Sequence, residues 1–343
     1  MRTFRKLFFL IAAVGVLCSA RPLYASSHDF YKGKTIRFIV AFSPGGAFDA
    51  YTRTIARHFG KHVPGNPTVI VENMTGAGGF IQANYMYQRA KPDGLTIGNN
   101  IGGLFLQQIM GAKGIEFDGR KFAYLGVPQV PQSVCVLSKA SGINSVQQWF
   151  AAKEPLKLGG VGPGGNMSDI ARTLKTALGL PIRVVDGYKG ASDVRLAADS
   201  GELAGFCLTW DATKIMLRQP LQTGDYSVVL QAAPKKHQDL PNVPLAVEFA
   251  KTDEARQLLK YAVHDVTIIQ YLYFLPPGSP KERLQTLRKA FQDTLKDPEL
   301  LADAAKANMG ISTVPGEEIE NIVNGLFKID DKMIPGLKNM LVP

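Results

Sequence analysis

The chain has 343 residues, 45% hydrophobic, 9% aromatic and 20% charged, with a mean hydropathy of -0.01. That is enough apolar material for one large domain or two ordinary ones, and too aromatic for a disordered chain. The 34 Gly and 21 Pro follow no G-X-Y period, which excludes collagen. The formal charge of +10 raises the question of nucleic acid.

The first segment answers part of that question. Arg2, Arg5 and Lys6 precede an apolar run over 7–18, and small residues lead to Ala20 and Ala25. This order is that of a secretory signal peptide, cut after Ala20 or Ala25. The run is shorter than the roughly 20 residues of a spanning helix. Bulky Leu17 before Cys18 argues against a lipid anchor. Cleavage after Ala25 removes Arg2, Arg5, Lys6 and Arg21, leaving 35 basic against 29 acidic residues, a net of +6. These are scattered, whereas nucleic-acid binding concentrates Lys and Arg on one face. The expected product is soluble and periplasmic.

Short apolar runs then alternate with helical spacing. Residues 35–42 read as a buried strand, followed by Phe48, Tyr51, Ile55 and Phe59 at helical intervals. Strand 68–72, a glycine-rich turn, helix 80–89, and strands 95–98 and 122–127 come next. The pattern restarts with strands at 133–137, 158–161, 182–185, 205–208 and 228–231, with helices at 145–152, 168–178 and 192–199. Residues 253–263 read as helix and 266–275 as one extended run. The remainder is helical over 281–295, 299–307 and 317–327, with Pro280, Pro298 and Pro315 at or near the starts. Such alternation implies parallel sheets covered by helices, with the C-terminal helices returning to the first unit.

Cys135 and Cys207 each sit in an apolar run. They could pair in an oxidising compartment, but pairing needs neighbouring strands, so two buried thiols are the favoured expectation. Without CxxC, and with five dispersed His, a zinc site has no support.

Two strand-to-helix loops are rich in glycine. In the first, 42–49, adjacent glycines allow close backbone approach and the helix start offers unpaired N–H groups, which attract carboxylate or phosphate. A plain turn is an equal alternative there. The second, 159–166, contains G-x-G-x-x-G at Gly160, Gly162 and Gly165, with Asp186 ending the next strand. That spacing is also a dinucleotide-binding signature, so an exported NAD(P)-dependent oxidoreductase is the rival reading. Pro163 within the loop and the export signal weigh against it. G-x-S-x-G and H-E-x-x-H are missing, and Gly33-Lys34-Thr35 precedes a strand rather than following one.

Tyr31-x-x-Lys34-x-Ile36-Arg37-x-Ile39-Val40-x-Phe42-Ser43-Pro44-Gly45-Gly46-x-x-Asp49, Val71-Glu72-Asn73-x-x-Gly76-Ala77-Gly78-Gly79 and Lys91-Pro92-Asp93-Gly94 together resemble the extracytoplasmic solute receptors of tripartite tricarboxylate transporters, the Bug-type proteins. Tyr188-Lys189-Gly190, Leu240-Pro241-Asn242-Val243-Pro244 and Leu275-Pro276-Pro277-Gly278-Ser279-Pro280 agree, so the resemblance spans nearly the whole mature chain. It implies an α/β, two-lobed periplasmic-binding-protein fold of type II with two crossing hinge strands. Lobe 1 would comprise 26–130 plus 276–343, and lobe 2 131–275, including the hinge strands at 133–137 and 271–275.

It also implies a monomeric, non-enzymatic receptor without cofactor or metal, which takes a small carboxylate and delivers it to a permease of two other subunits. Matched to the family, Phe42, Ser43, Gly45, Gly46, Ala47 and Asp49 form one wall of the ligand site. Gly162, Gly164, Gly165 and Asn166 form the other, with Tyr188, Lys189 and Gly190 beside it and Asp211 after the fourth strand of that lobe. Helix capping is an equal role for Asp211. Asn166 stands where relatives usually carry Ser or Thr, and Asp169 where a His is frequent.

Overall fold

In a computed structural model, the structure describes residues 30–42, 44–162, 165–188 and 190–341. The signal peptide expected over 1–25 lies outside the described residues.

Two sheets organise the chain. The first has the order β11-β4-β10-β3-β1-β2, built from β1 (Thr35–Val40), β2 (Thr68–Asn73), β3 (Thr96–Asn100), β4 (Ala123–Val127), β10 (Leu272–Leu275) and the two-residue edge β11 (Val314–Pro315). The second has the order β7-β6-β8-β5-β9, from β5 (Ser133–Ser138), β6 (Leu156–Gly159), β7 (Ile182–Val185), β8 (Gly205–Thr209) and β9 (Tyr226–Ala232). β1 pairs in parallel with β2 and β3, and β6 with β7 and β8. Each sheet then admits an antiparallel strand brought in by a crossing, β10 between β3 and β4 and β5 between β8 and β9, and in the first sheet β11 adds an antiparallel edge against β4.

The interior strands read as continuous apolar runs because both faces are covered. In β10, Leu272 and Phe274 join the core on one face, and Tyr273 and Leu275 the core on the other. In β5, Cys135 and Leu137 point one way and Val134 and Val136 the other. The helices follow the same economy. Helix Ala47–Phe59 buries Tyr51, Thr52, Ile55 and Phe59, at three- and four-residue intervals. Helix Asn166–Leu178 buries Ile170, Ala171, Leu174 and Leu178, and stops at Gly179, whose φ of 69° is the left-handed conformation of a helix end.

Three expectations change. Residues 266–275 are not one extended run: helix Asp253–Leu259 passes through a π-helical stretch, Lys260–Asp265, into Val266–Ile268, and only Leu272–Leu275 is strand. Aromatic and β-branched composition is shared by buried strands and buried helices, and here tertiary packing decides. β10 pairs within the first sheet, although 271–275 was grouped with the second lobe. Finally, Cys135 and Cys207 form a disulfide instead of standing as two thiols. They lie directly opposite in the antiparallel β5–β8 pair, a juxtaposition created by strand order between residues 72 apart.

Closing a loop of 72 residues restricts the unfolded chain by about 4 kcal/mol in the chain-entropy account. Replacing both cysteines by Ala should therefore lower stability by about 2–4 kcal/mol in urea unfolding. Equal stability of the double variant and the oxidised protein would show that the bridge contributes nothing.

Candidate ligand-binding cleft

A cavity of about 440 Å³ lies between the lobes, within the usual size range of small-molecule sites. From the first lobe it is lined by Phe42, Ala77, Gly78, Phe80, Ile101, Leu104 and Gln107. The second lobe contributes Asn166, Asp169 and Ile170. The π-helical crossing adds Ala262, Val266, Thr267 and Gln270, and Leu341 of the C-terminal helix Ile334–Leu341 closes one side. π-Turns occur often at functional sites, because the extra residue widens a helix where a ligand or cavity must be accommodated.

The loops at this cavity are held by buried polar groups. Asp49, 3% exposed, accepts from the Gly45 amide at 2.8 Å, from Asn73 Nδ2 at 2.9 Å and from Arg53 Nε at 2.9 Å. Asn73 Nδ2 also donates to the Phe42 carbonyl at 2.8 Å. Burial acts to raise the Asp49 pKa, but the hydrogen bonds from Arg53, Gly45 and Asn73 outweigh it and bring the carboxyl down to about 2. Asp49 is the third residue of its helix and reaches back to the preceding loop, as the acidic half of a capping box does.

A third glycine loop, Gly76 to Gly79, lies between β2 and helix Phe80–Gln88. Asn100 Nδ2 donates to Gly79 O at 2.9 Å and to Gln82 Oε1 at 2.7 Å, while Gln82 Nε2 donates to Ile39 O at 2.9 Å. Gly79 has a φ of 103°, and a Cβ there would overlap Asn100 Oδ1, so both conformation and space demand glycine.

The expected site residues divide. Phe42 and Asn166 line the cavity from opposite lobes. Gly45, Gly46 and Ala47 are exposed, and Gly162, Gly165, Tyr188 and Gly190 are partly buried. None of these seven lines the cavity. Asn166 Nδ2 donates to Gln270 Oε1 at 3.0 Å, tying the second lobe to the crossing. The Tyr188 hydroxyl donates to Glu202 at 2.7 Å. Asp49 is a loop organiser beneath the first wall. Asp211 lines a different cavity, of about 510 Å³, with Lys214, Arg218 and Gly310. There it accepts from Gln129 Nε2 at 2.7 Å, and Gln129 Oε1 accepts from Tyr51, whose hydroxyl also bonds Gly310 O at 3.0 Å. Ser43, Gly164 and Lys189 lie outside the described residues.

Ala77, Gly78, Gln107, Asp169, Thr267 and Gln270 were not expected as site residues. The glycine loop at 76–79 carried the same signal as the two loops that were singled out. Thr267 and Gln270 had none, since they sit in the segment read as strand.

The G-x-G-x-x-G loop is occupied internally. Gly162 N donates to Ser168 Oγ at 3.0 Å, Ser168 Oγ donates to Asp186 Oδ1 at 2.6 Å, and Arg172 pairs with the other Asp186 oxygen. A Cβ on Gly160 would overlap Ser168 Oγ. Asp186 is thus committed to its own lobe, where a dinucleotide site would turn it to a ribose. Among the described residues, His58, Asp297 and Glu299 could approach one metal ion, but Lys61 Nζ lies 2.6 Å from both carboxylates and supplies the positive charge there. No helix among the described residues is long and apolar enough to cross a membrane.

Two sheets of matching order, an antiparallel strand inserted in each and a cavity between them define a two-lobed periplasmic-binding-protein fold. Residues 52–334 match the tripartite tricarboxylate transporter family receptor profile, and the chain belongs to that family. It is 25% identical over 324 residues to the UPF0065 protein in the tcbD–tcbE intergenic region of Pseudomonas sp. strain P51, covering 93% of this chain and 90% of that one. A TctC solute-binding protein from Polaromonas superposes with a TM-score of 0.70 at 19% identity, covering 91% of this chain and all of that one. MatC from Rhodopseudomonas palustris, solved with bound malate, gives 0.59 at 17% identity, with 90% and 99% covered.

The Asp49 network has a pH signature. Because the folded pKa lies below the unfolded value, its contribution is complete above about pH 4 and is lost as pH falls through about 2. Asp49→Asn should cost about 1–2 kcal/mol at pH 7 and progressively less between pH 4 and 2. Urea unfolding of both proteins across that range checks this, and a pH-independent difference would refute the assignment.

Proposed function

We propose that this chain is an exported, non-enzymatic receptor that captures a small organic carboxylate between its lobes and presents it to a two-subunit membrane permease. The observation that carries the proposal is the cavity itself, to which both lobes and the π-helical crossing contribute. A ligand touching all three would favour the closed arrangement by its differential contacts, which is what a permease could read. Family membership and a relative solved with malate support the carboxylate class. The disulfide agrees with an oxidising compartment outside the cytoplasm. Chemically, capture needs no bond making, only a pre-formed cleft and a hinge.

Native mass spectrometry of the purified mature protein, followed by thermal unfolding with organic acids and with NAD(P), tests the proposal. An acid at 100 times its dissociation constant should stabilise the fold by about 2.7 kcal/mol. Stabilisation by NAD(P) and by no organic acid would overturn it in favour of the oxidoreductase.

A further inference from the structure

Resting on the receptor reading, we infer that Tyr51, Gln129 and Asp211 are positioning residues of the hinge: they brace the pivot of the first crossing and set the angle between the lobes. None of the three lines the ligand cavity. The first crossing is the stretch 128–132, between β4 and β5. It contains Pro128 and Pro131, whose rings lock φ and leave few torsions free to turn. Towards the first lobe it is tied by Ser312, whose amide donates to Pro128 O at 3.0 Å and whose Oγ accepts from Val130 N at 3.0 Å. Towards the second lobe, Trp210 N donates to Gln132 O at 2.7 Å. Rotation of the lobes about this crossing therefore falls between Val130 and Gln132.

The Gln129 side chain reaches across that pivot. Its Nε2 donates to Asp211 Oδ2 at 2.7 Å, in the second lobe, while its Oε1 accepts from the Tyr51 hydroxyl, in the first. A primary amide suits this task, because one end donates to a carboxylate as the other accepts from a hydroxyl. Gln129 and Tyr51 are both buried, so a broken bond would leave polar groups without ready access to water. Tyr51 serves the second crossing as well. Its ring packs on Tyr271 with centroids 4.9 Å apart, Tyr271 on Phe48 at 4.8 Å, and Phe48 on Phe42 of the ligand cavity at 4.3 Å. One side chain thus links both crossings to the ligand wall. Beside Asp211, the 510 Å³ cavity between the lobes gives them room to shift. Any such shift must stretch the Gln129–Asp211 bond, so the bond favours the angle at which Phe42 and Asn166 face one cavity. Losing it lowers the fraction of molecules ready to bind, and apparent affinity falls by the same factor.

Small-angle X-ray scattering of the ligand-free mature protein tests this. Asp211→Ala should raise the radius of gyration by about 1 Å over the roughly 20 Å of a compact chain of this length. Tyr51→Phe, which keeps the ring on Tyr271 and removes the hydroxyl, should open the molecule in the same direction. Asp211→Asn should keep the wild-type value, because its side-chain oxygen still accepts from Gln129. The melting temperature reports whether each variant is folded. Equal radii for wild type, Asp211→Ala and Tyr51→Phe would overturn the inference. So would an Asp211→Asn that opens as far as Asp211→Ala, since the ion pair with Lys214 would then be the contact that matters. Scattering needs no ligand, so this result stands apart from the receptor reading, which the titration with organic acids decides.

Discussion

The structure depends on one crossing segment that belongs to two cores at once. Along Asp253–Ile268, Ala255, Leu259 and Val263 are buried in the second lobe, and Leu258 and Ala262 in the first. The two sets lie on different faces of the helix, each at four-residue spacing. The lobes are thereby held by a rigid element instead of a flexible tether, and relative motion must be absorbed at its end, where the chain turns into β10. The π-helical stretch of this same segment presents Ala262 to the cavity, with Val266, Thr267 and Gln270 just beyond it. Hinge and ligand wall are thus one piece of backbone, and a ligand contact there acts directly on lobe geometry. The Asn166–Gln270 bond adds a polar tie from the second lobe to the same point.

Around that hinge, buried polar side chains hold loops that would otherwise be soft. Asp49 and Asn73 fix the first glycine loop, Asn100 and Gln82 the loop at 76–79, and Ser168 and Asp186 the loop of the second lobe. In each case a side chain neutralises backbone groups at the end of a strand, which leaves the cavity to be shaped by rigid walls. Pre-organisation of this kind lowers the conformational entropy lost on binding. It also explains why the glycines matter structurally: at Gly79 and Gly160 a Cβ would collide with the residues that hold the loop.

Most of the strands were legible as segments, because buried parallel strands produce short apolar runs between helical patterns, and thirteen residues of Ala47–Phe59 carry an unambiguous stripe. The helices Gly103–Ile109, Trp210–Met216 and Ile334–Leu341 were not read, being short and without a clear polar face. Their consequence is real, since Leu104 and Leu341 line the cavity. The disulfide and the Gln129–Asp211 hydrogen bond were illegible for a different reason. Cys135 meets Cys207, and Gln129 meets Asp211, only because a crossing strand is inserted between others, a long-range fact with no local signature. Asp49 was legible as part of a site, but not as its support.

The loop at 160–165 shows how one motif can serve two chemistries. A dinucleotide loop uses glycine so that backbone can approach a pyrophosphate, and leaves an acidic residue to meet a ribose. Here the space beside Gly160 is filled by Ser168, and the acid that follows, Asp186, accepts from Ser168 and pairs with Arg172. The same spacing therefore packs helix Asn166–Leu178 against its strands. It also fixes Arg172 between Asp186 and Asp169, and so ties the motif to a residue of the cavity wall.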